Sequence, residues 1–419
     1  MSMNESQQGY TTAKDVHWPS VWQLVLSSLA CVVLFLFALS YILLAVWDVV
    51  TLGVSLRAVT STILMASSLF FSALLVFPSA AYAFSRLTSR SIIFPGERFF
   101  QAIKPGFLMI MFPVFVILGN FITSFDQIAW FVLPPLHIVV IGTPIYWLIS
   151  IAIRKLPQSS PQRQWGVFSS GLVLGPVLIM VFEIGALFLI VIGLMVIMVY
   201  QPDLSDYLIS LADRIQRVPP TVENLTRILA PLLTRPSIIY VLLTFTAVIV
   251  PLIEEVFKPI GVWLLIGRKL NPMEGFIAGC LSGAAYALFE NLSFSSNLDG
   301  WTTLVVVRIG TSIMHIATSG LMGWGLAVAW KEGRYLKLGL AYFIAVLFHG
   351  LWNGLTIMTA IAAITTLAQI EQSALIKIGF TAPFGLLLLV VITLLFLIRS
   401  NKVLRKNLSE QEALSTLND

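Results

Sequence analysis

Long apolar runs constrain this chain more than any other feature. Leu24 to Trp47 carries no charged residue, and Gly171 to Tyr200 carries only Glu183. At about 1.5 Å per helical residue, each run exceeds a hydrocarbon core of about 30 Å. Lipid offers no partners to backbone N–H and C=O groups, so such segments must be helices. The 419 residues are 58% hydrophobic and only 11% charged, outside the range of a soluble domain, which makes lipid the solvent. The class is an all-α integral membrane protein.

About ten transmembrane helices are expected, near 22–47, 58–84, 105–125, 128–153, 167–200, 237–266, 274–294, 302–330, 338–360 and 378–398. The polar stretch Met1 to Ser20 precedes the first span and no small-residue cleavage site follows, so that span reads as retained. Charge orients the set. Arg86, Arg90, Arg98 and Lys104; Arg154, Lys155 and Arg163; Arg268 and Lys269; Lys331, Arg334 and Lys337; and Arg399, Lys402, Arg405 and Lys406 cluster after alternate spans. By the positive-inside rule these blocks are cytoplasmic, as are both termini, and the chain belongs in the cell membrane. The same placement explains the formal +5 charge without nucleic acid. Cys31 and Cys280 both fall inside apolar runs, which excludes a disulfide framework or a cysteine metal site.

One external stretch differs. Within 201–236, Leu204, Leu208, Leu211 and Ile215 recur at helical spacing, as for an amphipathic helix at the interface. Pro219-Pro220 breaks it, and Thr221 can cap a second helix carrying Leu225, Ile228, Leu229 and Leu232. A connector with a greasy face and a lid above a site both fit.

Composition changes near residue 237. Glu183 is the only acidic residue at depth in the first five spans, whereas the later ones hold Glu254-Glu255 with Lys258, Glu290-Asn291, His315, and His349 with Asn353. Counting inward places Glu254 midway through its span, His315 about 20 Å deep and His349 about 17 Å deep, but Glu290 only about 6 Å below its outer end. An ionisable side chain at the bilayer centre costs about 2.5–3.5 kcal/mol, so several together imply function. Adjacent helical residues diverge by about 100°, so one of Glu254 and Glu255 faces the cavity while the other pairs with Lys258. His349 and Asn353 share a face. His137, in Pro134-Pro135-Leu136-His137, is also intramembrane and can simply bond a neighbouring helix. Gly275, Gly279 and Gly283 form a small-residue stripe for close packing. Carboxylates and imidazoles in a wet membrane cavity can hold zinc and activate water, or relay protons. A hydrolase, a proton- or cation-coupled transporter and a catalytically silent membrane partner all remain open on these residues.

Four motifs in order carry a resemblance: Glu254-Glu255-x-x-Lys258, Phe289-Glu290-Asn291, Arg308 followed by His315, and His349-Gly-Leu-Trp-Asn353. Over 237–360 the chain resembles the PrsW family of intramembrane proteases, related to the CAAX prenyl endopeptidase and CPBP proteins. It departs from the CAAX pattern in Lys258, where an arginine stands one position later, and in Glu290, which replaces a histidine. The spans and the reach of the resemblance divide the chain into an N-terminal helical region of about five spans (1–200), whose role stays open, the interfacial segment (201–236), a PrsW-like catalytic core (237–360), and a last span with cytoplasmic tail (361–419). The resemblance implies hydrolysis of a membrane-anchored protein, of the anti-sigma-factor type. Glu254 or Glu255 would be the base, with Glu254 favoured. Glu290, His315 and His349 would be zinc ligands or would position water, and His349 and Asn353 would stabilise an oxyanion.

Overall fold

The computed structural model describes residues 17–92, 103–200, 202–218, 222–233, 235–294, 298–369 and 374–418. Among them every regular element is helical. In chain order these are α1 (Trp18–Leu52), α2 (Leu56–Thr88), α3 (Pro105–Ile122), α4 (Asp126–Ala152), α5 (Pro161–Tyr200), α6 (Pro202–Gln216), α7 (Val222–Leu233), α8 (Pro236–Trp263), α9 (Pro272–Ser293), α10 (Trp301–Glu332), α11 (Tyr335–Leu367), a short α12 (Ala374–Ile378) and α13 (Ala382–Asn418). Proline opens α1, α3, α5, α8 and α9, where its missing N–H is not needed. Gly53 and Gly333 close α1 and α10 in the left-handed conformation that favours glycine.

Among the described residues nine helices, all but α6, α7, α9 and α12, are long and apolar enough to cross a membrane. The chain is therefore an all-α multi-pass membrane protein. The span expected over 274–294 is a helix, α9, but its glycines and two glutamates keep it below that apolar threshold. It is instead heavily enclosed, with fifteen of its 22 residues buried. The expected amphipathic segment is helical in α6 and α7, with Leu211 buried and α7 packed on α11. The Pro219-Pro220 break and the Thr221 cap lie outside the described residues.

The core centres on α9 and α10, which pack closely along their lengths. The glycine stripe makes this possible: a methyl at Gly275 would strike the Gly323 carbonyl, at Gly279 that of Ser319, and at Gly283 that of His315. Backbone therefore meets backbone beside one candidate site residue. Gly279→Val is expected to destabilise the protein by about 1–3 kcal/mol through overpacking. Thermal unfolding in detergent checks this; an unchanged midpoint would mean that the two helices do not meet there.

Candidate functional site

Two irregularities in α8 set its chemistry in place. A π-helical turn, Phe245–Ile249, precedes Glu254, and the helix breaks at Lys258 and Pro259. The break leaves the Lys258 carbonyl without its helical partner, and the Ser282 hydroxyl of α9 donates to it at 2.6 Å. That bond pins the break against the glycine-rich face of α9, with the Lys258 side chain wholly buried.

The Lys258 ammonium is the centre of the cluster. It donates to Glu255 Oε1 at 2.7 Å and to His315 Nδ1 at 2.7 Å, and lies 3.1 Å from both His349 Nδ1 and Glu254 Oε2. Three helices thus converge on one cation. The fourth contributes through His315, whose Nε2 donates to Glu290 Oε2 of α9 at 2.7 Å. Arg308 donates to the other Glu290 oxygen at 3.0 Å and stacks on Phe294. Asn353 donates to the Thr246 carbonyl in the π-turn at 2.9 Å and to His349 Nε2 at 3.2 Å. With Nε2 accepting, the His349 Nδ1–H is left to donate to Glu255 Oε1 at 2.9 Å, an assignment inferred from the network.

Glu254, Glu255, Glu290, His315, His349 and Asn353 are therefore brought into one connected network. The two adjacent glutamates divide as helix geometry requires, although both reach Lys258. Glu255 is fully buried, with Oε1 committed to Lys258 and His349 and Oε2 without a hydrogen bond. Glu254 keeps 7% exposure, its Oε2 makes no hydrogen bond, and His349 Nε2 stands 3.9 Å from it. Three carboxylates face two permanent cations, Lys258 and Arg308.

Other sequence candidates lie elsewhere. Asn291 points aside, donating to Ser312 Oγ at 2.8 Å. His137 accepts from the Trp301 indole at 3.1 Å, the helix-to-helix bond expected of a structural histidine. Ser282 and Thr246 went unnoticed in the sequence, since each acts through a backbone carbonyl freed by a local irregularity. Pro259 was the available hint for the first.

The family described as PrsW family intramembrane metalloprotease matches residues 175–396, more than half of the chain. The chain belongs to that family. The match extends beyond 237–360 on both sides and takes in α5 from Gly175 onward. No curated protein and no solved structure matches the chain. PrsW membership makes the protein an intramembrane protease with a membrane-protein substrate, and the family description includes a metal.

The residues around the site can be tested for that metal. The chemistry of the donors suits one, since carboxylates and imidazoles bind zinc. Their arrangement does not: among the described residues no three His, Cys, Asp or Glu side chains are placed to hold an ion. The point on which they converge is taken by the Lys258 ammonium. His315 spends Nε2 on Glu290 and Nδ1 on Lys258.

Proposed function

We propose that this PrsW-family protein hydrolyses a peptide bond of a single-span membrane protein with a water activated by Glu254. The observation that supports this reading most is the division of labour between the paired glutamates. Oε2 makes no hydrogen bond in either glutamate, but Glu255 is wholly buried with its Oε1 spent on Lys258 and His349, whereas Glu254 keeps 7% exposure. A base needs an accessible oxygen within hydrogen-bond reach of its water.

In this reading Lys258 is the resident cation between the two carboxylates. Glu255 orients His349, and Asn353 fixes its tautomer. As water attacks the carbonyl carbon, Glu254 takes its proton and the oxygen acquires charge. Lys258 supplies nearby positive charge for that oxyanion. The proton then passes to the leaving amine. Glu290 and Arg308 hold His315, which holds Lys258. Zinc on Glu290, His315 and His349 is the alternative occupant of the centre, and it would require Lys258 to leave.

The same proposal keeps both termini cytoplasmic, by the alternation of basic blocks, and sets the protein in the cell membrane. An anti-sigma-factor-like protein is the substrate type proposed from the family likeness. The test is reconstitution in liposomes with single-span reporters. Cleavage within or beside the span, without proton or sodium flux, is the expected result. Flux without cleavage would replace the protease by a transporter.

A further inference from the structure

An open cleft lies between α5 and α9, beside the cluster. One wall carries Tyr286, Phe289 and Glu290, the other Ile179, Met180 and Glu183. The inner wall is the outside of the site: Tyr286 packs edge-on against His315 with centroids 5.1 Å apart, and Glu290 bonds that histidine. The outer wall belongs to a lightly packed helix: only Gly175 and Ile179 are buried between Gly175 and Tyr200, and Phe182 stacks on Phe257 of α8. Glu183 sits one turn beyond Ile179 on the same face. Its Oε1 is buried and has no hydrogen-bond partner.

An unpaired carboxylate oxygen inside a membrane helix is costly unless something else completes it. The proposed reaction supplies that something. A transmembrane helix hides its peptide bonds in i→i−4 hydrogen bonds, so hydrolysis requires local unwinding, and unwinding frees backbone N–H groups that lipid cannot satisfy. A cleft that accepts an unwound segment must therefore present acceptors.

We propose that the α5–α9 cleft admits the substrate's transmembrane segment from the lipid, and that Glu183 accepts hydrogen bonds from backbone N–H groups freed beside the scissile bond. The inference rests on the hydrolytic reading of the neighbouring cluster, and it makes Glu183 a substrate-binding residue rather than part of the water-activating machinery. Melting curves of the Glu183 variants, recorded beside capture, separate a loss of binding from a loss of fold.

The test uses full-length protein in liposomes with a photoreactive residue at Met180, in a Glu254→Gln background so that binding is read without turnover. Two probes are used: a single span of about 20 Leu and Ala residues, and the same span with a central Gly-Gly that eases opening. Neither has a side-chain donor. The Gly-Gly span should crosslink efficiently, Glu183→Leu should reduce its capture about 10- to 100-fold, as for loss of a hydrogen bond to a charged group, and Glu183→Gln, which keeps an acceptor, should restore most of it. Equal capture by Glu183→Leu overturns the role of Glu183. A Glu183 effect seen only when Lys or Ser is added to the span overturns the backbone as its partner. Absence of crosslinks while the Glu254 enzyme still cleaves the Gly-Gly span overturns the cleft and spares the hydrolase. Glu183-dependent crosslinks without cleavage of any reporter by the Glu254 enzyme keep the cleft and discard the hydrolase.

Discussion

Glu254→Gln lowers cleavage of a single-span reporter by about 10²–10⁴-fold, the range in which a general base contributes, while insertion and thermal stability stay close to those of the parent. The expectation follows from what each carboxylate already does. Glu254 Oε2 makes no hydrogen bond, and its residue alone of the pair keeps accessible surface. An amide there removes the base but leaves a neutral group of the same shape beside Lys258. Glu255→Gln is expected to behave differently. It weakens the bonds to Lys258 and His349 at 2.7 and 2.9 Å, so it loses stability as well as rate. Rate measurements on purified protein, paired with melting curves, separate the two. Undiminished cleavage by Glu254→Gln would end the assignment of the base.

Lys258→Met carries the second large effect, a loss of about 3–5 kcal/mol in stability. Removing one member of a buried ion pair strands its partners as uncompensated charges, and here Glu254 and Glu255 are both within 3.1 Å of the ammonium. Chemical denaturation in detergent checks the loss. The double variant Glu255→Gln with Lys258→Met should recover part of it, because one stranded charge is then removed. A separate readout follows from the place of the ammonium. Lys258→Ala vacates the centre of a carboxylate and imidazole cage, so zinc retained after dialysis, measured per mole of protein, should rise above the parent's value. Equal retention in both would mean that Lys258 does not hold the centre.

Apolar run length made the helical class readable, because lipid leaves the backbone no alternative. Span positions followed within about seven residues, except that α13 runs on to Asn418, well past the end expected at 398, and that α9 proved too polar to count as membrane-crossing by composition. Its enclosure by neighbours lets it carry glycines and glutamates that a lipid-facing helix would avoid. Glu290 shows why depth counting is coarse. It lies three residues from the end of α9, whereas His315 pairs in height with Gly283, about 10 Å deeper at 1.5 Å per residue. Side chains lean toward the N-terminus of their own helix. In this antiparallel pair, Glu290 leans inward and His315 leans outward, and they meet at 2.7 Å.

The centrality of Lys258 was hidden for another reason. Sequence spacing pairs it with Glu254 and Glu255 on its own helix, but its contacts with His315 and His349 come from α10 and α11, 57 and 91 residues away. They depend on the helix break at Pro259, which redirects the chain just after the lysine. Spacing along one helix carries no information about such crossings.

An experimental map of the protein in lipid nanodiscs, resolved well enough to trace the Lys258 side chain, tests the account at its centre. The expected map has the ammonium about 3 Å from Glu255 and from the Nδ1 atoms of His315 and His349, as in the distances of 2.7, 2.7 and 3.1 Å given above. A map in which Lys258 turns away and the carboxylates and imidazoles face separate spaces would contradict it.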